Sequence, residues 1–471
     1  MAGVEDEQGS KPAPDDIVAE AEAAPDLTAA AVEVIPPEIV AQSLGQYLKA
    51  WSVRVRGGDA GILPVVGALL AVTIVFQIMS PKGVFLSPGN LVNLFIQSCV
   101  FIVLAMAESF ALLLGEIDLS IGYVAAIGGI VAALFVQSPG PSFGLSIGPF
   151  NGQVWPFNGQ VWPWWAAIIA ALLVCAAIGA LHGFIITRLR VPAFIVTLAG
   201  YLAWFGVMIL ILGPSGGVNI SSALLNDQHI LFQLVWGNID PVIGWIALAV
   251  MVGLLGGWMW FGDAGRRRSG LVAPPPGLTA AKIAFVAAAG IAVVAICNVN
   301  RGLQLPVEGV PWAVPIVLFV LAVWTVLLER TEFGRHMYAV GGNAEAARRA
   351  GINVSGIRTM AFVLCSFTAG IAGLLYSSQQ GGMNTNINGG QLVLYAVAAA
   401  VIGGTSLFGG RGRAIHGVLG GLTIGAIYNG LYLLGFEVQW QLIATGLVLL
   451  AAVTIDALSR RGAGSVSAAH A

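Results

Sequence analysis

Hydrophobic positions in this chain come in long, nearly unbroken runs separated by short polar segments. A helix that crosses the hydrocarbon of a bilayer needs roughly 20 mostly apolar residues. Runs of that kind lie at 61–79, 91–114, 119–137, 164–187, 193–213, 242–261, 281–298, 312–328, 359–377, 391–408, 416–435 and 439–457. The pattern predicts an all-α fold, a polytopic membrane helical bundle of about twelve transmembrane helices. The second and third runs are almost continuous, so a broken or re-entrant pair is the alternative there.

Composition narrows the class. Of 471 residues, 57% are hydrophobic and only 9% charged, against roughly 25% charged in an average soluble chain. That is too little charge to clothe a water-facing surface, which excludes a cytosolic enzyme, a disulfide-rich secreted domain and a disordered scaffold. Lys and Arg gather on the cytoplasmic side of membrane proteins. With the N-terminus inside, only Lys82 and Arg301 of the 21 basic residues fall outside. Twelve crossings with both termini cytoplasmic satisfy that distribution.

The ends differ from the middle. Residues 1–45 are acidic and rich in Pro and Ala, with Lys11 the one base among the first 40; such a stretch buries too little apolar surface to offset its ordering entropy. It is expected to be a disordered cytoplasmic tail, followed by a membrane domain over 46–460 and a short tail over 461–471. Cys99, Cys175, Cys297 and Cys365 each sit inside an apolar run without a CxxC pair. They read as buried small hydrophobes, and no metal site is expected. Segment 138–163 is uncharged and holds a direct repeat, Pro149–Trp155 then Pro156–Trp162, read as a duplication without a function of its own. Segment 378–390 is polar and uncharged, with Ser378, Gln379, Gln380, Asn384, Asn386 and Asn388. It suits neutral, hydroxylated groups, or is a plain turn-rich loop.

No chemistry of catalysis or energy supply is visible. A phosphate-cradling loop needs Lys followed by Ser or Thr, and the four lysines precede Pro12, Ala50, Gly83 and Ile283. The histidines are scattered, with no HExxH or GxSxG. Within the apolar runs the clear ionisable groups are Glu108 and His182. A charge at a helix centre costs roughly 2.5–3.5 kcal/mol on insertion scales. Glu108 is therefore expected to face the protein interior, protonated or hydrogen-bonded, where it can accept a hydroxyl from a passing solute. What remains is a pore-forming subunit driven from outside itself. The alternative is a self-sufficient carrier coupled to protons through Glu108.

The most informative polar segment is Arg330–Arg358, RTEFGRHMYAVGGNAEAARRAGINVSGIR. Asn343 can cap a short amphipathic helix through Glu345, Ala346, Ala347, Arg348 and Arg349, and Gly351 can end it in the left-handed conformation. Such a helix on the inner face is a docking element. With it stand GEIDLSIG at Gly115–Gly122 and AVAAAVIGGTSLFGGRGRAIHGVLGG at Ala396–Gly421. The three stretches, in this order, resemble the sugar permeases of bacterial ABC importers, the ribose, xylose and galactose group. The extra spans around Arg266–Arg268 are most similar to the xylose type. Glu116 departs from the pattern, which has Gly there.

The resemblance implies an ABC importer permease fold in a bacterial cytoplasmic membrane. It implies a helix near 343–351 that inserts into a cytoplasmic ATP-binding subunit, a second permease chain in a homodimer, and an extracytoplasmic sugar-binding protein. The cargo would be a monosaccharide, a pentose such as xylose, moved by alternating access. ATP would be bound by the partner subunit, with no cofactor in this chain, no enzymatic activity of its own and no nucleic-acid partner. Glu108, Glu116, Asp118 and Ser120 are then the candidates for the translocation path or the pore fold. Asp118 is expected to cap the third helix, with Gly115 and Gly122 allowing a sharp turn beside Ser120. Gly417, Gly421 and Gly425 recur every four residues, as at close helix contacts. Gly403, Gly404, Gly409, Gly410 and Gly412 suit tight turns, and Arg411 and Arg413 mark the cytoplasmic boundary.

Overall fold

The computed structural model describes residues 62–136, 162–220, 228–271, 273–302 and 306–447, with isolated positions at 45, 46, 49, 146, 147, 150, 151, 450 and 454. The acidic tail beyond those positions, most of the 149–162 repeat and the C-terminal tail lie outside the described residues. Helices follow the apolar runs: α1 Leu63–Met79, α2 Pro88–Leu113, α3 Ile121–Phe135, α4 Trp164–Arg188, α5 Ala193–Leu212, α6 Gln228–Trp236, α7 Pro241–Arg268 and α8 Pro276–Cys297. After them come α9 Ala313–Arg330, α10 Glu332–Gly342, α11 Ala344–Arg349, α12 Val354–Gln380, α13 Gly389–Ile402 and α14 Ala414–Leu433. Eight of these are long and apolar enough to cross a membrane, and α1, α3 and α13 are shorter apolar helices. The twelfth predicted run is helical over 438–447 and then leaves the described residues.

The chain divides into two compact units. Within the described residues the smaller is chiefly the tip of the α7–α8 hairpin, where Thr279 Oγ1 donates to Asp263 Oδ2 at 2.8 Å and Arg267 Nη1 donates to the Pro274 carbonyl at 2.6 Å. The larger unit is built on α2, whose middle is buried on every side. Ser87 starts it by accepting from the Asn90 amide, with Pro88 at the first helical position. Helices α12, α13 and α14 pack on α2, while α3 and α4 pack on α12.

Glycine makes these contacts close. Gly417, Gly421 and Gly425 lie against Met106, Ile102 and Ser98 of α2, and a methyl at any of them would press into those residues. The four-residue glycine stripe therefore does the packing its spacing predicts. All four cysteines are free and buried, as expected from their apolar surroundings. Gly404, Gly409 and Gly410 take positive φ, in keeping with tight turns after α13.

The near-continuous second and third runs are a broken pair. Helix α2 stops at Leu113, and α3 spans 15 residues, too few to cross alone. On the other side of the sequence, α13 has 14 residues. The two short helices meet at their starts, where a methyl on Gly122 would overlap the Gly389 carbonyl. Strand Gly217–Asn219 pairs antiparallel with Gly382–Asn384, in the register Gly217 to Asn384. That pairing ties the chain after α5 to the entry of α13.

Candidate functional site

The break between α2 and α3 brings the predicted acids together. Glu108, Asp118 and Ser120 are buried, Glu108 and Asp118 both at 0% exposure. Buried backbone leaving a helix must find partners, and much of it does here. The Leu114, Gly115 and Glu116 amides turn back onto α2, bonding the Ala111 and Leu112 carbonyls. Gly115 makes the turn at φ +76. The Asp118 amide donates to Glu108 Oε1 at 3.1 Å, and the Ile117 carbonyl accepts from Thr197 Oγ1 at 3.2 Å.

Asp118 does not cap α3 as the sequence suggested. Its Oδ1 accepts instead from the Ser120 amide at 2.9 Å and from Ser120 Oγ at 2.6 Å. The carboxylate thus closes the turn one step before the helix, and the side chain of Ser120 caps nothing. The network continues where sequence reading assigned no role. Trp204 Nε1–H donates to His182 Nε2 at 3.0 Å. An indole only donates, so Nε2 is the acceptor and Nδ1 faces Ser120 Oγ at 3.4 Å as the donor. Cys365 Sγ lies 3.8 Å from Asp118 Oδ2. Glu108 Oε2 is buried without a protein partner among the described residues. Glu116, the residue that departs from the resembled pattern, pairs with Arg358 at 2.9 Å and anchors the turn to the start of α12.

At the same end of α2 and α12 lies the predicted docking helix. Asn343 Oδ1 accepts from the Glu345 and Ala346 amides at 3.0 and 2.9 Å, and Gly351 takes φ +84 after the helix. Glu345 pairs with Arg348 and Arg349 on the exposed side. Ala347 is buried and packs α11 against the bundle, while Asn343, Glu345, Ala346, Arg348, Arg349 and Gly351 are exposed. Replacing Asn343 by Ala removes both cap bonds. The expected cost is about 1 kcal/mol of local helix stability, read as faster amide exchange at Glu345 and Ala346, with Asn343→Asp retaining protection.

Helix α10, capped by Thr331 at the Gly334 amide, was not visible as a helix in sequence because Gly334, Gly341 and Gly342 lower its propensity. It joins α11 to the core. Gly341 abuts the Leu113 carbonyl and the Gly410 amide so closely that a methyl there would overlap the carbonyl. The Gly410 amide itself donates to the Leu113 carbonyl at 2.9 Å. Tyr338 donates to the Gly412 carbonyl at 2.7 Å; burial, then Glu329 beside it, raises the hydroxyl from its ordinary value and keeps it a donor. Arg413 meets Glu329 at 3.2 Å.

At the opposite end of α2 and α12 is a cavity of about 330 Å³ between α2, α12, α13 and α14. Its walls include the amides of Asn93, Gln97, Gln379, Gln380, Asn388 and Gln391 and the rings of Tyr376, Tyr395 and Tyr428. Of the polar residues noted in 378–390, Gln379, Gln380 and Asn388 line it. Asn384 is instead exposed and bonds the Asn386 amide. The remaining walls come from helices far apart in sequence and were missed.

A helical bundle with a polar cavity at one end and a braced, charged helix at the other has the construction of a membrane transport permease. A family model described as "Branched-chain amino acid transport system / permease component" matches residues 90–453. The chain belongs to that permease family. It is 32% identical over 417 residues to the xylose transport system permease protein of Escherichia coli K12, covering 87% of this chain and 97% of that protein. It is 31% identical over 390 residues to the ribose import permease protein of the same strain, covering 83% and 91%. The D-allose transport system permease protein matches at 27%, over 83% and 90%. No solved structure matches.

Proposed function

We propose that the chain is the transmembrane permease subunit of an ATP-driven importer for a monosaccharide, a pentose such as xylose, working by alternating access. The supporting observation is the position of the docking helix. The outward face of α11 is free for a cytoplasmic ATP-binding subunit, while α10 behind it touches the end of α2 at backbone distance through Gly341. A push on α11 therefore reaches the Leu113–Ser120 turn and its buried acids with little soft material between. Similarity to sugar permeases over most of both chains supports the cargo class.

In this reading two copies of the chain pair, an extracytoplasmic sugar-binding protein delivers cargo, and ATP is bound and hydrolysed by the partner. The chain supplies no cofactor site and sits in a bacterial cytoplasmic membrane with both termini inside. One observation favours a second reading, a proton-coupled carrier: Glu108 Oε2 is buried and unpaired among the described residues. Reconstitution separates the two. With the cognate ATP-binding and sugar-binding proteins, D-xylose uptake into proteoliposomes is expected to require ATP and to ignore a pH gradient. Uptake by the chain alone, driven by the gradient, would refute the importer.

A further inference from the structure

Among the described residues, the cavity between α2, α12, α13 and α14 is lined by no formally charged side chain. Its polar side chains are carboxamides, phenols and the Trp236 indole, and Ile96, Phe101 and Leu392 complete the described walls. We propose that this cavity binds the transported solute inside a single chain, and that it accepts a neutral polyhydroxylated ring while rejecting a zwitterionic amino acid. The proposal rests on the monosaccharide-importer reading and names the residues that hold the cargo.

The charge argument comes first. An amino acid brings a carboxylate and an ammonium, and moving either out of water is costly unless an opposite charge or dense hydrogen bonding receives it. Among the described residues no Lys, Arg, Asp, Glu or His lines the cavity, so neither charge meets a counter-ion there. Sugar hydroxyls have different needs, since each both donates and accepts. A carboxamide offers two donor hydrogens and an acceptor oxygen in fixed geometry, and so matches adjacent hydroxyls.

Capacity and rigidity agree with this. Gln391 Nε2 donates to the Tyr395 hydroxyl at 2.7 Å, which leaves its oxygen and second hydrogen for a solute. The amides of Asn93 and Gln380 and the hydroxyl of Tyr428 have no hydrogen-bond partner among the described residues, although all three line the cavity. The aromatic walls are held in place. Phe101 stands edge-on to Tyr395, with centroids 5.0 Å apart, and edge-on to Tyr428 at 6.0 Å. The backbone at Gln391 is held by its main-chain N–H, which donates to Asn388 Oδ1 at 3.0 Å. A volume of about 330 Å³ is at the low end for ligand pockets and suits one sugar ring rather than a chain of them. Amides without charge give weak binding, which a site that must release its cargo requires.

The test uses the full chain in lipid nanodiscs, without companion proteins, probed with D-xylose and with L-leucine by saturation-transfer difference NMR. D-xylose is expected to give a saturable signal in the millimolar range, and L-leucine none. Gln391→Leu and Tyr428→Phe should each weaken the D-xylose signal at least fivefold. Tyr428→Phe removes one oxygen from a cavity wall, so it reports on binding even where Gln391→Leu fails to fold, as judged by gel filtration. No D-xylose signal in the native chain, an equal L-leucine signal, or an unchanged signal in folded Tyr428→Phe would each overturn the proposal. ATP-driven uptake by the assembled system, measured on the same variants, distinguishes the two levels. Uptake unaltered by cavity variants overturns the cavity assignment and leaves the importer standing. Cavity binding in a chain that shows no ATP-driven uptake supports the cavity and removes the importer.

Discussion

Replacing Gly341 by Ala is expected to reduce uptake by the assembled system at least tenfold, whereas Gly342→Ala, one residue on, stays within about twofold of the native chain. The reason is local geometry. A methyl at 341 overlaps the Leu113 carbonyl and crowds the Gly410 amide, while a methyl at 342 meets nothing within 4 Å. Overpacking typically costs about 1–3 kcal/mol, and main-chain atoms held by the Gly410–Leu113 bond cannot rotate out of the way as a side chain would. At 342 the same substitution removes a flexible residue from a helix end, a neutral or slightly favourable change. Paired measurement of yield by gel filtration and of ATP-dependent uptake tells a folding defect from lost coupling. Equal behaviour of the two variants in both assays would show that the α10–α2 contact does not matter.

The second large effect concerns Glu108. Glu108→Ala leaves the Asp118 amide, buried at the centre of the broken turn, without its acceptor. An unsatisfied buried donor costs roughly 1–3 kcal/mol, and the vacated side-chain volume adds to that. Glu108→Gln keeps an oxygen in the place of Oε1 and is expected to retain most of the thermal stability. If the residue also touches cargo, Gln lowers uptake while leaving stability in place; if its role is to hold the turn, Gln preserves both. Unchanged uptake in both Ala and Gln variants would remove Glu108 from the transport path and from the fold of the turn alike.

Much of the architecture can be read from hydropathy because membrane helices are written as length. The apolar runs place α1, α2, α4, α5, α7, α8, α9, α12 and α14 within a few residues at most ends, and the glycine stripe at 417, 421 and 425 foretells which face of α14 meets α2. The cap at Asn343 and the left-handed Gly351 are equally plain, since both are local chemistry. Hydropathy marks an interruption between the second and third runs without showing what holds it. Tertiary partners, Glu108, Thr197 and the Ser120–His182–Trp204 network, explain how the chain leaves the helix there. Asp118 was misassigned for the same reason: a short side chain before a helix can serve the turn or the helix, and the outcome depends on where Ser120 ends up.

The cavity was the least legible feature. Gln97, Tyr376, Gln391 and Tyr428 come from four helices, and nothing short of the folded contacts aligns them. Segment 378–390 gave the single hint, through composition alone.

Chain segments 114–120 and 381–388 carry a further consequence. Both leave regular helix beside short helices, and several of their amides and carbonyls are held by a carboxylate, a threonine, an asparagine or the opposite strand. A gradual slide of the first segment would strand the Asp118 amide, buried at 0% exposure, with no solvent to receive it, and a slide of the second would break its strand pairing. Movement in this region is therefore restricted to a few discrete arrangements, each with its own complete set of bonds, and the passage between them should be abrupt, with a temperature-sensitive rate.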